Sequence, residues 1–220
     1  HNPAGIAWDE ATLREMGRLA LEHGATIVSD EIHAELLLGG TRHRPIASLS
    51  PETEERTITL VAPSKTFNIA GLFCGFAIIP DAGTRKAYEE TVERMTLHAS
   101  GPALIAADEA YSGSCDALLA ELRVYLEGNR DYALDFVRRE MPRLRMSKPE
   151  ATYLTWIDCS GIGRGLGSPY DFFLEKAKIA LNDGATFGTG GRGFLRLNLG
   201  CPRATLAEAL DRMRSAVASL

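Results

Sequence analysis

Apolar positions in the first half of the chain alternate between long amphipathic stretches and short continuous runs. Residues 8–24 form the first stretch, with Asp9 as N-cap, Trp8 and Leu13 placed as a hydrophobic staple, Leu13, Met16, Leu19 and Ala20 along one face, and Gly24 as the stop. That pattern predicts a helix. Residues 25–29, 57–62 and 73–79 are apolar, β-branched runs too short for helices, and they predict strands buried on both faces. Helices are predicted again over 84–97 and 102–111, so this half alternates in the α/β manner. A single stripe of Leu118, Leu122, Tyr125, Asn129, Tyr132 and Phe136 then predicts one long helix over 115–141, stopped by Pro142. At about 1.5 Å per residue it is long enough to bridge two structural units.

Beyond Pro142 the order changes. A strand is predicted at 152–158, then a helix opened by Ser168-Pro169 with Asp171 completing a capping box. An extended stretch at 181–187, a strand at 194–199 and a last helix capped by Thr205 and Glu208 complete an α+β unit. The expected organisation is a large α/β domain over 1–114 with a mostly parallel sheet, an interdomain helix over 115–141, and a small α+β domain over 142–220.

Composition narrows the class of function. The 220 residues are 45% hydrophobic, enough for a substantial core, and the net charge of -5 argues against nucleic-acid or anionic-membrane partners. Cys74, Cys115, Cys159 and Cys201 lie far apart with no CxxC pair, which indicates neither a zinc site nor a disulfide framework and suggests a reducing cytoplasm. No apolar run reaches the roughly 20 residues of a membrane span, and no signal peptide is recognisable.

Two familiar motifs fail on context. Ser64-Lys65-Thr66 contains the Lys-Thr pair of a phosphate-binding loop, but Val61-Ala62-Pro63 supplies none of the glycines that loop needs. Residues 188–193 match GxGxxG by letter, yet they precede a strand instead of joining a strand to a helix. His23, His43 and His98 have no partners at metal-ligand spacing, and no metal is expected. What remains is a set of single residues at strand ends and turns: Asn2 in Asn-Pro-Ala-Gly, Asp30 in Ser-Asp-Glu-Ile-His, Lys65 in Pro-Ser-Lys-Thr-Phe-Asn, and Arg196 in Phe-Leu-Arg-Leu-Asn. Taken singly, each has an ordinary reading: a turn residue, a helix N-cap, a solvated lysine, half of a salt bridge. If the first two strands are neighbours, Asp30 and Lys65 face one crevice at their carboxyl ends.

In their order and spacing these motifs resemble the fold-type I pyridoxal-phosphate enzymes of the aspartate aminotransferase superfamily. Asp30 follows Asn-Pro-x-Gly by about 28 residues, Ser64-Lys65 comes about 35 later, and Arg196, with Asn198 shortly after it, lies near the C-terminus. The wording of Val28 to Glu35 and Ser64 to Leu72 is most similar to the cystathionine β-lyase branch typified by MalY and PatB. The resemblance covers essentially the whole chain.

It implies that Lys65 carries pyridoxal 5′-phosphate covalently and serves as the catalytic base, with an amine deprotonated enough to condense with an aldehyde. Asp30 is implied to pair with the pyridine nitrogen, Asn2 and His33 to hydrogen-bond the phenolic oxygen, and Ser64 to bind the phosphate. Arg196 is implied to grip the α-carboxylate of an amino-acid substrate. The expected activity is a carbon–sulfur β-elimination giving thiol, pyruvate and ammonia. An aminotransferase is the alternative, and a non-catalytic fragment or interaction module is a third. Family active sites lie at a subunit interface, which implies a homodimer.

Two departures are visible. Phe73 stands eight residues after the lysine, where many relatives place a phosphate-binding arginine. The chain opens at His1, about where the family's Asn-Pro turn falls, so it is expected to be the carboxyl-terminal part of a longer enzyme, inactive by itself.

Overall fold

Described over residues 1–163 and 167–220 in a computed structural model, the chain divides into two compact units. One comprises residues 7–37 and 42–121, the other residues 1–6, 38–41 and 122–220.

In the first unit, α1 (Glu10–Glu22) begins at the expected cap, where the Asp9 carboxylate accepts from the Thr12 N–H at 2.9 Å. That bond, with a second from the Thr12 hydroxyl, holds the Asp9 carboxyl below the usual carboxylate range. The buried positions of α1 are Leu13 and Gly17, whereas Met16 and Leu19 are exposed, contrary to the predicted face. Gly17 explains the rotation. Thr53 of α2 (Pro51–Glu55) lies so near that a Cβ on Gly17 would stand 3.2 Å from its hydroxyl, so the helix turns its smallest residue inward.

β1 (Ile27–Asp30) runs parallel to β2 (Thr57–Val61), with Asp30 opposite Leu60. β3 (Phe76–Ile78) pairs with the other edge of β2 in the antiparallel sense. The α/β class holds, but among the described residues this sheet has one parallel and one antiparallel pairing instead of a mostly parallel set. β3 is also shorter than the predicted 73–79, because a 3₁₀ turn at Ala70–Leu72 ends on Phe73 at φ 53°, outside the strand region. α3 (Ala82–Arg94) is capped by Asp81 and α4 (Gly101–Tyr111) by Ser100. Ala103 and Ala107 of α4 bury a small cluster with Cys74.

α5 (Asp116–Glu140) is the predicted long helix, with a different face buried. Leu126, Asn129, Ala133 and Val137 are inside, Leu118 and Tyr125 are exposed, and Tyr132 and Phe136 flank the core. Asn129 fixes that rotation: its amide donates to the Leu199 and Cys201 carbonyls at 2.8 and 2.9 Å, and its oxygen accepts from Arg203 Nε at 2.7 Å. A buried amide with these bonds made resists turning outward.

The second unit's sheet is wholly antiparallel, in the order β4 (Arg145–Met146), β5 (Leu154–Asp158), β7 (Phe194–Asn198), β6 (Asn182–Asp183). Ser168 caps α6 (Pro169–Phe172) as expected, accepting from the Tyr170 N–H, and a π turn at Phe173–Ala177 prolongs it. The predicted extension over 181–187 shrinks to β6 followed by a 3₁₀ turn at Gly184–Phe187. The cause is a close backbone approach: a Cβ on Gly184 would lie 2.2 Å from the Gly191 carbonyl oxygen, and one on Gly191 would lie 2.0 Å from that of Gly184. The GxGxxG letters therefore belong to a tight turn leading into β7. The last helix, α7 (Arg203–Ala218), starts earlier than its predicted cap at Thr205 and Glu208. Pro202 sets the entry with φ -54°, and the Arg203 N–H donates to the Tyr125 hydroxyl at 2.7 Å, so no Thr205 cap forms.

Candidate active site

Asp30 is the last residue of β1, and Lys65 lies on the turn that follows β2. Parallel pairing puts both strands' carboxyl ends on the same sheet end, so the two turns adjoin. One bond ties the first turn to β2, one joins the two turns, and a third braces the second turn. The Glu31 N–H donates to the Leu60 carbonyl at 2.9 Å, Thr66 Oγ1 donates to Glu35 Oε2 at 3.0 Å, and within the second turn the Phe67 N–H donates to the Pro63 carbonyl at 2.9 Å.

Within this frame Asp30 Oδ1 accepts from the Ile32 N–H at 3.3 Å, an Asx turn that leaves Oδ2 without a hydrogen bond among the described residues. The Lys65 ammonium is partly buried and has no ion pair or hydrogen bond among the described residues. A half-sheltered amine and an open carboxylate oxygen thus share one sheet end. Ser64 is partly buried beside Lys65, and His33 lies on the turn after β1. Phe73 stands 87% exposed, an apolar ring where a phosphate-binding cation would be placed by the resemblance.

Asn2 and Arg196 belong to the other unit, and the fold brings these two together. Arg196 Nη1 donates to Asn2 Oδ1 at 2.7 Å. Its Nε and Nη2 donate to Asn182 Oδ1 at 3.3 and 2.9 Å, and its Cζ lies 4.9 Å over the Phe187 ring. Phe187 meets Trp156 edge-on at 5.5 Å, and Trp156 stacks on Phe194 at 5.4 Å, so an aromatic layer supports the guanidinium.

Sequence reasoning missed several residues that hold these groups. Glu31 is buried, its carboxylate bonded by Ser29 Oγ at 3.0 Å and by His43 Nε2 at 2.6 Å. His43, set aside as an ordinary histidine, anchors the turn after β1. Glu35 and buried Thr66 clip the Asp30 and Lys65 turns together. The available signal was Glu31 and Glu35 in an otherwise half-apolar stretch, since acidic side chains so placed require partners. Asn182 carried no comparable signal.

Burial, then the nearby Glu35 carboxylate and Cys74, push the Tyr111 phenol up to about 12. The Tyr111 ring also meets Phe67 and Phe76 edge-on, both at 6.3 Å.

Comparison with known proteins gives concordant matches. The family described as aminotransferase class I and II matches residues 1–213. Cystathionine beta-lyase PatB of Bacillus subtilis is 42% identical over 217 residues, covering 99% of this chain and 56% of that protein. A PLP-bound putative aminotransferase from Clostridium difficile superposes with a TM-score of 0.93 at 40% identity, over 99% of this chain and 56% of that one. A putative PLP-dependent beta-cystathionase from Corynebacterium diphtheriae gives 0.90 at 38% identity, over 99% and 57%. The chain thus spans a little over half the length of the relatives it matches.

Proposed function

From the premise that this chain belongs to the aminotransferase class I and II family, we propose that the protein carrying it is a pyridoxal-phosphate-dependent carbon–sulfur β-lyase acting on a sulfur-containing amino acid. The observation that carries the cofactor in this reading is the placement of Lys65 and Asp30 after neighbouring parallel strands at one sheet end, with Asp30 Oδ2 open and no ion pair on Lys65 among the described residues. These donors fit the cofactor. Lys65 has the side-chain type that condenses with its aldehyde, and Asp30 Oδ2 suits a protonated ring nitrogen. When bound, the cofactor supplies an electron sink that makes the substrate Cα–H acidic.

The remaining work falls to the chain. Lys65 Nζ would hold the cofactor, and its amine would take up the substrate's Cα proton. Asp30 would supply the negative charge that favours a protonated ring nitrogen. Asn2 has its oxygen engaged by Arg196, which leaves its Nδ2–H groups for the phenolic oxygen, with His33 as a second donor. The Ser64 hydroxyl binds a phosphate oxygen. Arg196 binds the substrate carboxylate and so fixes which Cα bond is broken. Cleavage of the bond from Cβ to sulfur releases a thiol, and hydrolysis of the remainder yields pyruvate and ammonia.

Coverage of a little over half of its relatives supports a site completed by further chain, and a homodimer is part of the same proposal. No described helix is long and apolar enough to cross a membrane. Transamination is the second reading, favoured by the aminotransferase name of the matched family and of the Clostridium structure. The two share every residue through the first proton transfer. Incubating the gene's full product with cystathionine separates them: thiol and pyruvate are expected, and amino transfer that depends on an added keto acid would reject the lyase.

A further inference from the structure

Among the described residues, the groups that hold Arg196 are all neutral. A guanidinium has five N–H bonds, and three are used here: one from Nη1 to Asn2 Oδ1, and one each from Nε and Nη2 to Asn182 Oδ1. Two remain, one on each terminal nitrogen. Both acceptors are carboxamides, and among the described residues no carboxylate pairs with Arg196. The cation is therefore oriented without being neutralised, and it retains its full charge for an incoming anion.

Asn182 owes its place to strand register. It sits directly opposite Arg196 across the β6–β7 pair, and the close approach of Gly184 and Gly191 ends β6 just after it. The Phe187 ring at the end of the following turn fixes the guanidinium plane from one side. Register, turn and ring together leave one side chain in contact with the Nε–Nη2 edge.

We propose that Asn182 is a positioning and specificity residue for Arg196: it occupies the Nε–Nη2 edge with a neutral oxygen and reserves the N–H groups left on Nη1 and Nη2 for a ligand carboxylate. The inference rests on reading Arg196 as the substrate-carboxylate site. An aspartate at position 182 would keep both bonds while cancelling the charge. An alanine would keep the charge and lose the orientation.

The test uses the gene's full product loaded with its cofactor. Binding of L-alanine, and of ethylamine as a probe lacking the carboxylate, is titrated for wild type, Asn182→Asp, Asn182→Ala and Arg196→Lys. Protection of the Arg196 Nε–H is followed by NMR in protein without cofactor. Hydrogen bonds to charged groups are worth enough that Asn182→Asp is expected to weaken L-alanine binding about tenfold. Ethylamine binding should stay within about twofold, and the Nε–H should remain protected in Asn182→Asp but not in Asn182→Ala. A merely structural asparagine predicts the opposite ranking, with Asn182→Asp binding L-alanine like wild type; that result overturns the inference alone. If Arg196→Lys leaves L-alanine affinity unchanged, the carboxylate reading of Arg196 falls and the inference falls with it.

Discussion

The chain's two sheets are built from similar residues and are enclosed very differently. The four-stranded sheet carries a continuous core in which Ile157, Leu195, Leu210, Met213 and Phe173 are fully buried. The unit with the three-stranded sheet buries a small cluster of Cys74, Ala103 and Ala107, together with Leu13, Leu36, Ile46, Ala62 and Ile79, but its strands leave Val28 62% and Ile78 56% exposed. Apolar strand residues thus have little effect on stability where nothing covers them. The proposed catalytic pair stands on the sheet with exposed strand residues, with its two turns joined by the Thr66–Glu35 bond, whereas Arg196 stands on the sheet with the deep core. In the first region polar clips between turns hold the geometry, and in the second a deep core underlies the hydrogen bonds that orient Arg196.

The largest expected effect breaks the comparison at its chemistry. Lys65→Ala should lower β-elimination by about 10² to 10⁴-fold and abolish the borohydride-stable cofactor adduct found by mass spectrometry on the Lys65 peptide. Retention of that adduct would move the covalent site elsewhere. Next comes the core: Leu210→Ala should cost about 3 kcal/mol, read from urea denaturation and from hydrogen exchange of β5 and β7 amides. A cost like that of a surface change would mean the second unit's core is not what holds it.

The clip between turns should matter less. Thr66→Val removes the donor to Glu35 and is expected to cost about 1–2 kcal/mol, seen as faster exchange of amides in residues 63–69. Glu35→Gln keeps an acceptor but removes the charge, so the Tyr111 phenol should titrate lower than its value of about 12, measured by phenolate absorbance against a Tyr111→Phe control. The sign follows from linkage. Tyr111 is raised in the folded protein, so its contribution is complete below the ordinary value of 10.0 and is lost as pH climbs toward about 12. Wild type should lose stability across that window, and Glu35→Gln over a narrower one. The smallest effect is expected from Ile78→Ala, about 0.5 kcal/mol on an exposed strand position. A cost rivalling that of Leu210→Ala in the gene's full product would show that Ile78 is covered there.

Much of the fold was legible because its signals are local. The Asp9 and Ser168 caps act on the next turn, the β-branched run at 57–62 has no competing helical period, and the Lys65 and Asp30 motifs keep their order. Readings that depended on a distant partner went wrong. The buried faces of α1 and α5 were chosen by Thr53 against Gly17 and by carbonyls some 70 residues away from Asn129. Pro202 and the Tyr125 hydroxyl displaced the capping box read at Thr205.

By itself the sequence determined the alternation of helices and strands, the turns, and the residue types able to carry the proposed chemistry. Each follows from preferences within a few positions of the chain. Tertiary structure alone decided that β3 runs antiparallel, that Glu35 reaches Thr66, and that Asn182 rather than a carboxylate lies against Arg196. Those outcomes depend on strand register and on which group satisfies a distant donor, and no local preference encodes either.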